Sequence, residues 1–586
     1  MLLLLFDCLL LLFITLCLGL LTRYLLEKIF RSEVRADTLG IFLLGLMFSS
    51  FYFNMVSFWW PVDHLSLIPL GVLSLAYLSP RKRREASTLV SIRRSMHYFT
   101  SRECILATIG ILGVVILYSI LPTGNQDSPG YHYLSVLWYE KYKVVPGLAN
   151  IHGRFAFNPI SFIIEAAWSF TGVTGQSIYP LNMVTAGLFY FWLLRRIFQN
   201  IHSTTALLYL GMMLFFFRYF LTNLSSPTAD VLVDICVLYS LICLFENILA
   251  REITLNTTIV PVLVILYSIT AKLSSFPLLL ALPFVYSLLL KKEKSLALVL
   301  KVFTITLFLY VPWLVRNYIM SGYPIFPFPF LDLFHPDWKA PASVLNLELY
   351  FIRVFPMEGI ATPLWHSPNP LIQGVETWFS GFIKSRTFVD PVFILLAFFS
   401  PLYWLILYIR TKKVNRPALL LWFITFISAW FNILNSMVFR FAACMILLSV
   451  LFPFFVWAYS LPPRRTGIYK LMVNGALVLF CLYYFRGGIT KLTEYKPSIA
   501  GSWLLPLKDK LYNDAGNNAG FPYKILRPGI KTYIADGSHD CLNAGLPCIP
   551  HLYGEIEMRG DRIDQGFRMI RDTIQVPPPL NPPPLP

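Results

Sequence analysis

Runs of about 20 apolar residues recur along this chain, separated by short clusters of lysine and arginine. No other feature restricts its fold so strongly. A run of that length crosses the hydrocarbon core of a bilayer as a helix, where every backbone polar group must be satisfied internally. Of the 586 residues, 56% are hydrophobic and 13% charged, against about 25% charged in an ordinary soluble domain. The composition excludes a soluble enzyme and predicts an all-α polytopic membrane protein. The net charge of +17 suggests nucleic acid at first sight. The basic residues concentrate in short loops between apolar runs, however, which is the positive-inside pattern of a membrane chain. No nucleic-acid partner is expected.

Residues 1–22 resemble a secretory leader but lack a basic start, carry Asp7 and have no small-residue cleavage site before Arg23. They read as a first span. Basic clusters then mark the inner turns: Arg23 to Arg35, Arg81 to Arg84 with Arg93, Arg94 and Arg102, Arg195 and Arg196, Lys291, Lys292 and Lys294, Lys412 and Lys413, and Arg464 and Arg465. One topology of about 14 spans puts all of them in the cytoplasm and both termini outside. The expected spans are 1–22, 38–58, 63–80, 104–121, 179–198, 203–222, 229–249, 258–270, 275–290, 296–314, 390–410, 417–436, 441–460 and 468–485. The eighth and ninth are weakest, because Thr270-Ala-Lys272-Leu-Ser-Ser interrupts one apolar stretch.

Three external segments are long: 122–178, 315–389 and 486–586. In the first, residues 131–141 and 159–170 read as short amphipathic helices lying along the membrane surface. The second opens with Gly322-Tyr-Pro-Ile-Phe-Pro-Phe-Pro and reads as an ordered, proline-braced loop over a site. The chain thus divides into three additional spans with a basic cytoplasmic loop (1–103), a transmembrane core (104–485), a small extracytoplasmic C-terminal region (486–576) and a polyproline tail (577–586). Seven of nine cysteines fall in predicted spans, as apolar filler. Cys541 and Cys548 share one external segment and favour a local disulfide. Zinc is the rival, since His539 and His551 flank the pair, although the spacing fits no standard site.

Asp127, His132, Arg154, Asp230, Lys272, Arg316 and Arg440 come from distant parts of the chain, yet one topology gathers them at the outer surface. A charge costs roughly 2.5–3.5 kcal/mol at the bilayer midplane and less toward the interface. Each alone reads as an anchor that snorkels to water; seven on one side read as a site. Asp127 lies in Leu121-Pro-Thr-Gly-Asn-Gln-Asp127-Ser-Pro-Gly-Tyr-His132, directly after a span. Asp230 in Leu224-Ser-Ser-Pro-Thr-Ala-Asp230 is either a helix N-cap or a functional carboxylate, with Asp234 one turn later as a buried structural partner. Guanidinium and ammonium groups suit phosphate oxygens. Carboxylates to activate a hydroxyl, with cations to hold a phosphate at the membrane surface, describe transfer of a group from a lipid phosphate.

On these residues the chain resembles the GT-C superfamily of membrane glycosyltransferases, and within it a bacterial branch related to protein O-mannosyltransferases and aminoarabinose transferases. The likeness covers about residues 104–570. It rests on Asp127 in loop 122–178, Val145-Pro-Gly-Leu-Ala-Asn-Ile-His-Gly-Arg154-Phe-Ala-Phe-Asn158, Arg316-Asn-Tyr-Ile-Met-Ser-Gly-Tyr-Pro324, Arg440-Phe441 and Cys541-Leu-Asn-Ala-Gly-Leu-Pro-Cys548. The resemblance implies a GT-C-like helix bundle with its active site on the extracytoplasmic face of a bacterial inner membrane. The donor would be a polyprenyl-phosphate sugar and the acceptor an extracytoplasmic glycan, lipid or protein, with membrane lipids as surroundings. Asp127 would be the catalytic base, Lys272, Arg316 and Arg440 the donor-phosphate ligands, and Tyr131, His132, Arg154, Asn158 and Asp230 the acceptor-side lining. No cofactor is implied, and a divalent metal is left open. The chain departs from the family in its three extra leading spans and in Met437-Val-Phe439, where a Pro/Asp turn is expected. Alternatives are a glycan polymerase or ligase using a pyrophosphate-linked donor, a transporter or flippase of lipid-linked sugars, which would favour internal repeats, and a membrane scaffold.

The topology is checked with single cysteines in a background lacking the native ones. Arg84→Cys should react with a membrane-impermeant maleimide only in inside-out vesicles, and Asp332→Cys only in right-side-out ones. The same sidedness for both would overturn the arrangement.

Overall fold

The computed structural model describes residues 2–79, 101–125, 127–290, 296–353, 389–412, 414–436, 438–461, 467–494, 505–506, 523–527, 529–534, 541, 545–549 and 554–574. The basic clusters at 81–84, 93–94, 291–294, 413 and 464–465, residues 354–388 of the second long loop, His539, His551, Met437 and the tail 577–586 lie outside the described residues.

The chain is a helical, multi-pass membrane protein. Nine helices among the described residues are long and apolar enough to cross a bilayer, or up to ten if a bent pair counts as one span. In chain order the helices used below are α1 (Leu2–Phe30), α2 (Thr38–Val56), α3 (Leu67–Tyr77), α4 (Arg102–Ser119), α5 (Tyr133–Lys141), α6 (Ile160–Trp168), α7 (Leu181–Gln199), α8 (Thr204–Leu221) and α9 (Asp230–Leu249). They continue with α10 (Leu255–Ala271), α11 (Ala281–Leu290), α12 (Leu296–Ser321), α13 (Ala342–Arg353), α14 (Val389–Phe398), α15 (Ser400–Thr411), α16 (Arg416–Ser436), α17 (Phe439–Ser460) and α18 (Gly467–Glu494). Every expected span falls on a helix, but α3, α7, α10 and the segment 273–289 are not among the nine. The 17 residues of α10 rise only about 25 Å, short of a hydrocarbon core of about 30 Å. The bent pair is α14 with α15, which turn by 49° where Pro401 starts the second helix.

The leading hairpin is set by glycine. A Cβ on Gly19 of α1 would lie 1.9 Å from the Ile41 carbonyl oxygen, and one on Gly45 of α2 would lie 1.9 Å from that of Thr15. The two backbones approach too closely for any side chain there, as small-residue seams in membranes allow. Arg196 is more than a topology marker. Its guanidinium makes two bonds to Glu246, at 2.9 and 2.8 Å, and stacks on Trp192.

Two expectations are corrected. The surface helices expected at 131–141 and 159–170 form at 133–141 and 160–168, but do not lie on the membrane. All nine residues of α6 are buried, and so are Tyr133 to Glu140 of α5. α6 packs on α2, α5 and α7, which cover it on all sides. The all-α reading also omits two small sheets in the C-terminal region. One holds β1 (Tyr523–Leu526), β2 (Ile530–Ile534) and β3 (Cys548–Ile549), the other the antiparallel pair β4 (Gly554–Met558) and β5 (Phe567–Asp572). Cys541 and Cys548 form a disulfide with Cα atoms 5.9 Å apart.

The β4–β5 hairpin docks on the first external loop. The Phe567 amide donates to the Pro146 carbonyl at 3.0 Å, and its ring is fully buried against Trp138. Buried Asn150 donates to the carbonyls of Trp338 (2.9 Å) and Phe567 (3.2 Å), so one amide ties all three long external segments together. Arg559 adds an ion pair to Asp337 at 2.8 Å, which holds that carboxyl below its usual range. Asn150→Leu keeps the branched shape but removes the donor, leaving the two carbonyls unpaired at about 1–3 kcal/mol. The expected outcome is faster proteolytic removal of the region beyond residue 494 from right-side-out vesicles, with the membrane part intact. An unchanged cleavage rate would remove Asn150 from this role.

Candidate functional site

Asp127 sits where α4 gives way to a single π-turn, Ser128–His132, which runs into α5. Isolated π-turns recur at functional positions, and this one is pinned from both sides. The Asp127 amide donates to Asn125 Oδ1 (2.9 Å), and Asn125 Nδ2 donates to Asn223 Oδ1 (2.7 Å). Ser128 Oγ lies 2.6 Å from Ser226 Oγ, and Thr123 and Gly124 bond the Thr222 carbonyl. Buried Asn182 of α7 donates to the carbonyls of Ser226 and Thr228 at 2.7 and 2.8 Å. The loop carrying Asp127 is thereby stitched to the loop preceding Asp230.

Asp230 is the first residue of α9. Ala229 occupies the cap position without a side-chain bond, which removes the N-cap reading. Its carboxylate instead pairs with Lys272 and lies 3.9 Å from Arg440 Nε. Lys272 stands at the extended break after α10, φ −159° and ψ 131°. Its ammonium rests 3.7 Å above the Phe441 ring, and Asn432 of α16 holds the following turn through the Ser274 carbonyl at 2.8 Å. Arg440 lies in the first turn of α17, the wrong end of a helix dipole for a cation. It is held there by carboxylates, with Nη2 2.6 Å from Asp127 Oδ2. Arg154 lies 3.7 Å from Asp127 Oδ1 and 3.7 Å from Glu348 Oε2, and its guanidinium faces the Tyr131 and Phe351 rings.

Two cavities meet at this network. One of about 580 Å³ is the more polar of the two, with Arg154, Arg218, Asn223, Asp234 and Glu348 among its lining beside Phe157, Phe351 and Val438. The other, of about 330 Å³, is walled by Phe162, Ile269, Trp313, Phe326, Phe328 and Phe431 and carries Lys272. Asp127, Tyr131, Asp230 and Arg440 line both. His132 and Asn158 line the apolar cavity. His132 Nδ1 lies 3.2 Å from Ser128 Oγ, and Asn158 exchanges bonds with Trp313, accepting at 2.7 Å and donating at 3.2 Å.

Of the residues expected at the site, Arg316 is corrected. It is 1% exposed, its guanidinium lies 3.9 Å from the Tyr139 ring centre, and it lines neither cavity; Asn317 lines the apolar one instead. Cys541 and Cys548 belong to the C-terminal sheet. Glu348, Arg218 and Asp234 were missed as lining residues. Glu348 carried a signal, because it falls on the buried face of amphipathic α13 with Val344 and Leu345. A carboxylate on an apolar helix face asks for a partner. Among the described residues no group of three or more His, Cys, Asp and Glu is arranged to hold a metal ion.

Burial pushes the Asp127 carboxyl up, but Arg440 and Arg154 beside it outweigh this and hold it below 3.8. Burial drives His132 down from 6.5 to about 4 and raises the Tyr131 phenol. His132 is therefore neutral near pH 7. The unfolded chain takes up its proton below pH 6.5 and the folded chain only near pH 4, so stability falls as pH drops through that interval. The loss is roughly 3 kcal/mol. Asp127, lowered, loses its contribution only below the interval. His132→Asn should flatten the pH dependence of thermal unfolding in detergent between pH 6.5 and 4.5. An unaltered slope would contradict the burial of a neutral imidazole.

A family model described as a domain of unknown function, DUF8201, matches residues 1–447. No curated protein matches, and no solved structure matches. The chain belongs to the DUF8201 family.

Proposed function

We propose that this DUF8201 chain is a membrane glycosyltransferase that moves a sugar from a polyprenyl-phosphate donor to an extracytoplasmic acceptor. The observation that carries this reading is the shared wall, where Asp127, Asp230 and Arg440 face both the more polar and the more apolar cavity. A donor with an isoprenoid tail suits the apolar side, where Lys272 and Arg440 can meet its phosphate. A hydroxyl or amine acceptor suits the polar side.

The reaction follows from that division. The acceptor oxygen or nitrogen attacks the anomeric carbon, and the bond from that carbon to the phosphate oxygen breaks. The phosphate leaves with the electron pair, stabilised by Arg440 and Lys272, so no general acid is needed. Asp127 takes the acceptor proton, a role worth about 10²–10⁴-fold in rate. One direct displacement inverts the sugar carbon. We read the architecture as a GT-C-like bundle, with about 14 spans expected from the positive-inside pattern and nine or ten helices long and apolar enough to cross among the described residues. The positive-inside pattern supports an extracytoplasmic site, and a bacterial inner membrane is the compartment proposed. Tyr131, Arg154 and Glu348 would position the acceptor.

The test is a mass-spectrometric surface-glycan profile of a deletion strain complemented at matched membrane levels. A sugar should vanish on deletion, return with wild type and stay at least about a hundredfold depleted with Asp127→Asn. Full restoration by Asp127→Asn would remove it as the base, and an unchanged profile on deletion would remove the glycosyltransferase reading.

A further inference from the structure

The base and the phosphate-binding cation of the proposed reaction are bonded to each other. Arg440 Nη2 and Asp127 Oδ2 are 2.6 Å apart, so the arginine that should hold the donor is already occupied by the carboxylate that should accept the acceptor's proton. Asp230 is differently committed. It is fixed at the start of α9, carries the Lys272 ion pair and touches Arg440 only at 3.9 Å. Asp127 has a second cation within reach, Arg154, at 3.7 Å on the side of the polar cavity.

The charges balance within this set. Asp127 and Asp230 offset Arg440 and Lys272, the two cations placed for the donor phosphate, while Arg353 also lines the donor-side cavity. A phosphate therefore gains the Arg440 guanidinium only by replacing a carboxylate. It is equipped to do so, because its oxygens accept the planar fork of an arginine in bidentate fashion, whereas Asp127 accepts from Nη2 alone at hydrogen-bond distance. The arginine side chain is 44% exposed, so a ligand in the apolar cavity can reach it.

We infer that the donor phosphate takes Asp127's place on Arg440, and that the carboxylate is released toward Arg154 and the polar cavity only when donor is bound. This rests on the lipid-phosphate reading above and adds a sequence of events to it. Donor binds first, the base is then freed, and acceptor is activated last. While bonded to Arg440 the carboxylate is a spent acceptor, its lone pair directed at a guanidinium. Once Arg440 turns to phosphate, the influence that holds its carboxyl low weakens, and it becomes a better base at the moment it is needed.

The experiment uses the full chain in lipid nanodiscs and undecaprenyl monophosphate as probe, with binding followed by native mass spectrometry or thermophoresis. Wild type should bind, and Asp127→Asn should bind about tenfold more tightly, because the competing carboxylate is gone. Arg440→Gln should bind at least about tenfold more weakly. In the double variant the gain from Asp127→Asn should disappear, since the two residues act through one bond. Asp127→Glu, which keeps the charge, should not tighten binding. Undecaprenol, which lacks the phosphate, should be indifferent to Asp127→Asn. If wild type binds the phosphate lipid but Asp127→Asn binds equally or less well, the displacement is wrong and the donor assignment stands. If tightening persists in the double variant, Arg440 is not the contested cation, and the inference falls. If no variant binds, wild type included, the lipid-phosphate reading falls with it.

Discussion

Carboxylates and cations drawn together from four distant parts of a membrane protein can be held among its helix ends only as pairs, and one end of the helix bundle is arranged around that requirement. An isolated charge at such a place is costly, and removing one partner of a buried pair leaves the other uncompensated. Asp127, Asp230, Lys272 and Arg440 meet the requirement mutually. Each is also supported by local backbone structure: a π-turn, a helix start, an extended break after α10 and the first turn of α17. Arg440 is the clearest case, since helix electrostatics oppose a cation there and only the facing carboxylates account for its position.

The polar stitching between the loops carrying Asp127 and Asp230 gives this network its geometry. Asn125, Asn223, Ser128, Ser226 and Asn182 are all uncharged, and most are buried. They set the two acidic loops in register without adding charge to the site. That separation matters for the proposed chemistry, because a carboxylate can change partners only if something other than its ion pair keeps the backbone in place.

The long segments outside the spans cover the site, and their parts depend on one another. Residues 326–328 wall the apolar cavity, α13 brings Glu348 to Arg154, and the β4–β5 hairpin locks onto Pro146 and Asn150. The DUF8201 match ends at residue 447, so this hairpin lies beyond it while contacting the first external loop within it.

Apolar runs and basic loops were enough to place every expected span on a helix, because burying a continuous apolar stretch is a local demand that the bilayer imposes on each segment separately. The position of Asp127 after a span, the gathering of charges on one face, and the cysteine pair were legible for similar reasons of local chemistry. Other features were settled only in three dimensions. Whether α5 and α6 lie on the membrane or inside the bundle depends on which neighbours cover them, and their own pattern fits either. Arg316 and Arg440 look alike in sequence, each beside an aromatic or amide residue at a span end, yet one turns onto Tyr139 and the other onto Asp127. Glu348 and Arg218 join the site because helices far apart in the chain happen to face one another. Short-range sequence pattern decides which segments enter the membrane; which charges meet is decided by packing, since a cation's partner is whatever carboxylate the fold delivers to it.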